Sequence, residues 1–407
     1  MPSRPRGALK RLATNLVVVF VGVAVALVVA EGALRIFKGR HPIATARYGK
    51  IPDVTRRGTY LPWELAPGAF DRQVDPYGEF DCEFRINSLG LRDDEIALTK
   101  SPGTKRILML GDSMTVGWGV EQEECFAGRL DALLNRAGGP PGAPRPRCEV
   151  VNCGWASWYT TDGALVFLKH RIDELDPDLI ILDYFLNDPA ELRPADWRPR
   201  GAALPDSIAP TREVGGRGGA AAVLGAIRDY LSQRSYVLNL LRQIWKASIR
   251  RRALGADVFT LEDARRAEYP ACAVLLFAET YPADFEERLG LTERLLVGMR
   301  DLAEEHGARF AVAIMPADFQ LVQGKRERYG ILPVIFHDRR YVEGKAQRRL
   351  KDVCERNGIP ALDLLPALRG RCEEECFFSY DPHLTPAGHA VVADAMAGFL
   401  RTSGLLD

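Results

Sequence analysis

The 407-residue chain has no excess of charge of either sign, because 54 Lys and Arg balance 54 Asp and Glu. A nucleic-acid binder ordinarily shows a basic patch or stripe, and no basic run interleaved with aromatics occurs here, which argues against a nucleic-acid partner. The glycine-rich turn near residue 111 is not followed by Gly-Lys-[Ser/Thr], so it is not a phosphate-binding P-loop. Nor does the chain present there the G-x-S-x-G elbow of the α/β-hydrolases. Of the eight cysteines, Cys372 and Cys376 flank three glutamates, but no second Cys/His pair stands at zinc-site spacing. The pair therefore reads as a small disulfide loop or as free surface thiols rather than as metal ligands. Nothing in the sequence calls for a metal or an organic cofactor.

What is present begins with the amino terminus. Residues 1–11 carry Arg4, Arg6, Lys10 and Arg11, and Leu16 to Ala30 then runs fifteen residues without a charge. Counted from Leu12, the apolar segment would span roughly 28 Å as a helix, against a hydrocarbon core of about 30 Å. We read 1–11 as a basic cytoplasmic tail and 12–37 as a transmembrane signal-anchor helix that engages the lipid bilayer. A cleaved signal peptide is the alternative, with Ala24-Val25-Ala26 as its cleavage pattern. Against cleavage, Leu34, Ile36 and Phe37 extend the helical pattern. Basic residues on both sides, Arg35, Lys38 and Arg40 among them, leave the positive-inside rule only a slight preference for an extracytoplasmic body. Eight cysteines are compatible with that oxidising side. Residues 38–100, rich in Pro, Gly and charge, read as a stalk and lead-in.

From there the pattern is strand and helix in alternation. Ile107 to Leu110 is an apolar run stopped by Gly111, as expected of a strand covered on both faces. Helical spacing follows at Phe126, Leu130, Leu133 and Leu134. Glu149 to Asn152 is a second strand, Thr161 to Leu175 a second amphipathic helix, and Asp178 to Phe185 a third strand. Residues 193–305 exceed a minimal sheet and read as a helical insertion, with Val223 to Ile249 as a cap or a lid. A helix from about Ala283 to His306, a strand at Arg309 to Met315, a helix near 341–357, a strand at 361–365 and a final helix after Pro386 complete the order. Short links between such units imply right-handed crossovers and a parallel sheet within 101–402.

Chemistry-bearing residues fall at the carboxyl ends of these strands, where open parallel sheets form their sites. Ser113 follows the first strand in Gly111-Asp-Ser-Met-Thr-Val-Gly-Trp-Gly-Val120. Asn152-Cys-Gly154 ends the second, and Asn187-Asp188 follows the third. Asp381 and His383 are two apart, so in extended backbone both face one side and a carboxylate lies near an imidazole. His389 reads as a packing residue of the last helix. Asn87 and Gly90 read as a turn, and Arg92 as a residue that could meet an anionic group.

The block G-D-S-x-T-x-G-x-G-V resembles the first block of the SGNH/GDSL hydrolases. Asn87-x-x-Gly-x-Arg92 is similar to a segment that precedes that block in membrane-anchored bacterial members. The resemblance covers about residues 84–400 outside the insertion and implies a three-layer α/β/α, flavodoxin-like fold. It implies Ser113 as nucleophile, His383 as base and Asp381 as its partner, with an oxyanion hole from the N–H groups of Ser113 and Gly154 and the amide of Asn187. By its residues alone Gly154 could equally be a turn glycine. Two departures stand out: Phe185 occupies the glycine place of the third block, and D-x-H replaces D-x-x-H, a spacing similar to alginate-type O-acetyltransferases. The expected activity is ester hydrolysis on an acylated small molecule or polysaccharide; the alternatives are O-acyl transfer or an inactive binding protein.

Overall fold

The computed structural model describes helical stretches between residues 14 and 33, and residues 53–75, 78–136, 147–155, 160–192, 194–198, 203–208, 275–281, 283–322 and 342–407, with Val237, Ala273 and Lys325. Contacts divide the chain into two units, residues 1–47 with 214–249, and residues 48–213 with 250–407. In the first, the Val237 N–H donates to Glu31 Oε2 at 3.0 Å. Among the described residues no helix is long and apolar enough to cross a membrane. The expected basic tail, the last residues of the expected anchor and, apart from Val237, the helix expected over 223–249 lie outside the described residues.

In the second unit, residues 53–100 are not a stalk. They form two antiparallel pairs, β1 (Thr55–Arg57) with β2 (Trp63–Leu65), and β3 (Phe70–Val74) with β4 (Asp81–Arg85). β4 shows why: Asp81 and Arg85 face water while Cys82 and Phe84 between them are buried, the two-residue period of a half-covered strand. Val54, Leu61, Leu65, Phe84 and Leu91 join the main core. The polar composition that suggests a stalk belongs to the outer faces of these short strands. Asn87 and Gly90 make the expected turn, with Asn87 Oδ1 accepting the N–H of Leu89 and Leu91 and Gly90 at φ +77°.

The sheet follows the sequence pattern closely. Its elements are β5 (Thr104–Gly111), α1 (Ser113–Val116), α2 (Phe126–Asn135), β6 (Arg147–Gly154), α3 (Thr161–Leu175), β7 (Leu179–Phe185) and α4 (Asp188–Glu191). After the small pair β8 (Trp197–Arg198) and β9 (Ser207–Ile208) come α5 (Ala283–Glu305), β10 (Arg309–Met315), α6 (Lys345–Arg356), β11 (Ala361–Asp363), α7 (Leu365–Arg371) and α8 (Pro386–Ser403). Five strands pair in the order β11-β10-β7-β5-β6, all parallel. In chain order that is 2-1-3-4-5, the flavodoxin-like arrangement, whose ligand crevice opens where the order reverses, between β5 and β7. Every residue of β7 is buried, as a strand with helices over both faces requires. α2 packs with α8 and α3 with α5, and right-handed crossovers put these pairs on opposite faces.

One boundary differs from expectation. The last part of the range assigned to the insertion is α5, whose Phe285, Leu289, Leu295, Leu296 and Met299 are buried, so it is the crossover helix of the sheet and not part of a cap. At the free edge, the β6 N–H groups of Cys148, Val150 and Asn152 donate to Asn135 Oδ1, Asp131 Oδ1 and Asp93 Oδ2 at 3.1, 3.0 and 2.7 Å. Side chains therefore close the edge that would otherwise invite another strand. Cys372 and Cys376 form a disulfide, one of the two readings their spacing allows.

Candidate active site

The apolar run of β5 ends at Gly111, and the chain turns at once into α1. A Cβ at Gly111 would stand 2.0 Å from Thr115 Oγ1, so only glycine lets α1 fold back onto the sheet end. Asp112 caps the helix by accepting the Met114 N–H at 2.9 Å. Ser113 is thereby set at the first helical position, where a backbone N–H has no intrahelical acceptor. Its side chain is half-buried.

The other half of the site comes from the loop before α8. Phe377 and Leu384 form an antiparallel bridge, and within it Asp381 Oδ1 accepts the backbone N–H of His383 at 2.9 Å. That contact folds the two side chains together: His383 Nδ1 lies 2.5 Å from Asp381 Oδ1, and His383 Nε2 lies 2.7 Å from Ser113 Oγ. Hydroxyl, imidazole and carboxylate thus form one relay between residues 270 apart in sequence. Trp118 stacks on the His383 ring at 5.3 Å, a contact the sequence did not single out. Asp381 is 1% exposed, and its Oδ2 has no hydrogen-bond partner among the described residues. A carboxylate so held orients the ring and stabilises its protonated form.

Asn187 stands at the carboxyl end of β7, beside β5 in the sheet, as the cap of α4. Its Oδ1 is without a hydrogen-bond partner among the described residues. Phe185, in place of a glycine, is simply the last buried residue of β7. Gly154 is brought to the same sheet end, paired in register with Gly111, but its N–H donates to Asn152 Oδ1 at 3.0 Å. A Cβ there would lie 2.4 Å from the Val116 nitrogen. The glycine therefore gives α1 room against β6, and its N–H is already engaged.

Arg92 also differs from expectation. It meets no anion. Buried over the Phe84 ring at 4.0 Å, its guanidinium donates to the carbonyls of Val116, Val120 and Glu83 at 2.9, 2.7 and 2.8 Å, and to that of Gly117. Burial lowers its pKa from the usual arginine value. Gln73 Oε1 accepts the Gly119 N–H at 3.0 Å. Two side chains from the lead-in thus tie down the segment that follows the serine. His389 is buried, and its Nδ1 accepts the Phe126 N–H that opens α2, at 3.2 Å. Burial pushes its pKa down to about 3, so it stays neutral and is a packing residue, as its place in the helix suggests.

Carboxyl groups crowd the region. Burial raises Asp112 to about 6, against the opposing pull of the Met114 N–H and the His383 ring. Burial holds Asp183, which accepts the Thr115 hydroxyl at 2.9 Å, well above the carboxylate range. Asp188, which accepts the Thr161 hydroxyl at 2.8 Å, is raised in the same way. Among the described residues no group of three or more His, Cys, Asp or Glu could hold a metal ion.

Over 117 residues the chain is 31% identical to the probable alginate O-acetylase AlgJ of Pseudomonas putida, a match that covers 28% of each protein. The chain thus matches little more than a quarter of the length of that curated relative. Among solved structures it resembles TesA, at 12% identity over 73% of this chain and 98% of that one, with a TM-score of 0.37. It also resembles the psychrotrophic esterase EstA from Pseudoalteromonas sp., at 11% identity over 74% and 98% of the two chains, with a TM-score of 0.36. The strand order, not these distant likenesses, defines the fold. A family model matches residues 109–337. With the Gly-Asp-Ser turn at its start, the chain belongs to the GDSL-like lipase/acylhydrolase family, whose chemistry is the hydrolysis of esters.

Proposed function

We propose that the protein is a serine-dependent acyl hydrolase acting through a covalent acyl-enzyme. Ser113 Oγ attacks an ester carbonyl while His383 Nε2 takes its proton. Asp381 holds the ring tautomer and stabilises the imidazolium, and the alcohol leaves with the proton returned from His383. Water, activated by the same ring, then releases the acid and restores Ser113. The oxyanion is held by the N–H of Ser113 and the side-chain amide of Asn187. Gly154, whose N–H is bound by Asn152, could contribute only on releasing that bond.

The observation that carries this reading is the unbroken line from Ser113 Oγ through His383 to Asp381, at 2.7 and 2.5 Å. Hydrolysis of p-nitrophenyl acetate tests it. The wild type turns over, and Ser113→Ala does not.

A second reading, O-acyl transfer to a polysaccharide hydroxyl, uses the same acyl-enzyme. It is favoured by the Asp381-Pro-His383 spacing and by the similarity to a probable alginate O-acetylase. Supplying an activated acetyl ester with and without a saccharide acceptor separates the two by where the acetyl group ends.

The site is proposed to work at a membrane on the extracytoplasmic side. Val18, Val19, Val23 and Val28 lie on different sides of the amino-terminal helical stretch, and all are exposed. An apolar surface all round a helix suits lipid. The Cys372–Cys376 disulfide suits an oxidising compartment. Release from membranes by detergent but not by salt is the expected result.

A further inference from the structure

The loop from Phe377 to Leu384 carries both His383 and Asp381, yet it has almost no regular structure of its own. The bridge that closes it is made by the Phe378 N–H donating to the His383 carbonyl at 3.0 Å and the Thr385 N–H donating to the Cys376 carbonyl at 2.9 Å. Five more of the loop's backbone groups are met by two side chains of opposite charge from distant parts of the chain. Glu79, on the turn between β3 and β4, accepts three consecutive N–H groups. Ser379 donates to its Oε1 at 2.6 Å, and Tyr380 and Asp381 donate to its Oε2 at 2.9 and 3.0 Å. Lys325 donates through Nζ to the carbonyls of Phe378 and Asp381 at 2.5 and 3.0 Å. Its charge is balanced by Asp318 Oδ2 at 2.9 Å, in a setting where both side chains are almost wholly buried.

We infer that Glu79 and Lys325 are positioning residues that grip the acid/base loop by its N–H and C=O groups. Together they fix the Asp381–His383 pair at its distance from Ser113. Asp381 is gripped at both backbone ends, its N–H by Glu79 and its carbonyl by Lys325. The residue that must point the imidazole is thereby held on both sides of its own side chain. Charge-assisted bonds to the backbone suit this purpose because they fix geometry without adding a group that competes for the imidazole. Neither residue touches the reacting atoms. A side chain of the segment before the first strand of the main sheet thus completes the active site, which gives the β3–β4 pair a function beyond its share of the core. The inference rests on the acyl-enzyme reading, in that alignment matters only where His383 serves Ser113.

The test compares wild type with Glu79→Gln, which keeps the shape but replaces one accepting oxygen by an amide donor that would face N–H groups. Three quantities are read: kcat and KM for p-nitrophenyl acetate, the thermal midpoint, and the downfield proton resonance of the His383 Nδ1–H bonded to Asp381. A misplacement of this kind is expected to lower kcat by at least about tenfold while KM stays within about twofold. The resonance broadens or is lost although the protein remains folded. A folded variant with unchanged kcat and an intact resonance overturns the inference. So does a loss of activity that only tracks a lowered thermal midpoint and is recovered on cooling. Glu79→Asp, which keeps the charge but withdraws it by one methylene, carries the same comparison should Glu79→Gln fail to fold. If instead Ser113→Ala retains wild-type hydrolysis, the acyl-enzyme reading fails, while the resonance in the Glu79 variants still reports whether the grip exists.

Discussion

At the scale of single residues, the relay and its donors have separable signatures. Asp381→Asn would leave an amide against the ring and favour the wrong tautomer, so kcat should fall on the order of 10⁴-fold with the fold intact. Asn187→Ala removes one oxyanion donor and should lower kcat by about 10²- to 10³-fold with little change in KM. Gly154→Ala should behave differently. Its Cβ would press on the Val116 nitrogen, so the expected effect is a loss of stability of about 1–3 kcal/mol in urea denaturation. The difference between Gly154 and Asn187 was not legible from the sequence, which brings both to the ends of strands. What distinguishes them is one hydrogen bond to Asn152, and no pattern of residue types reports such a bond. Ser113 at a strand end and the Asp381–His383 neighbourhood were legible from the residues, whereas their joining in one pocket was implied only by the resemblance of the G-D-S and D-x-H blocks to a known family.

Among the elements, the long strands and helices were readable, as was the short β11 (Ala361–Asp363), while the short strands before the main sheet were not. β5, β7 and β10 are apolar runs between punctuating residues, and α3 and α5 carry one apolar side, so their periods stand out. β1 to β4 are three to five residues each, too short for a two-residue period to rise above a charged background. Their partners in the site, Gln73 with Gly119 and Glu79 with the acid/base loop, are joined only by tertiary folding. Arg92 is the element-level support with the clearest consequence. Arg92→Leu would take the guanidinium donor from the buried carbonyls of Val116 and Val120, and each unsatisfied buried acceptor costs about 1–3 kcal/mol. Chemical denaturation should show a loss of at least about 2 kcal/mol. Activity should fall with it, since the segment that follows Ser113 loses its anchor.

For the whole molecule, the buried carboxyls set the response to pH. Burial raises Asp93 to about 7 and Asp112 to about 6, and holds Asp183 and Asp188 well above the usual carboxylate range. A carboxyl raised on folding binds a proton that the unfolded chain releases. Its contribution is therefore fully present below the unfolded value near 4 and is lost as pH rises through the folded value. Raising one carboxyl pKa by a factor of ten in proton affinity corresponds to about 1.4 kcal/mol. The thermal midpoint should accordingly be several degrees higher at pH 5 than at pH 8, and scanning fluorimetry across that range checks it. A midpoint that rises over the same range would show that these carboxyls are ionised and paired in the fold. The architecture itself, a 2-1-3-4-5 sheet with its crevice between β5 and β7, brings the serine, the asparagine and the acid/base loop to one edge, and the central claim is that this edge makes a covalent acyl-enzyme. Mass spectrometry of the protein after reaction with a fluorophosphonate tests that most directly. The account predicts a single adduct on Ser113, absent in Ser113→Ala and strongly slowed in a folded His383→Ala. An unmodified Ser113 in a folded wild-type protein would contradict it.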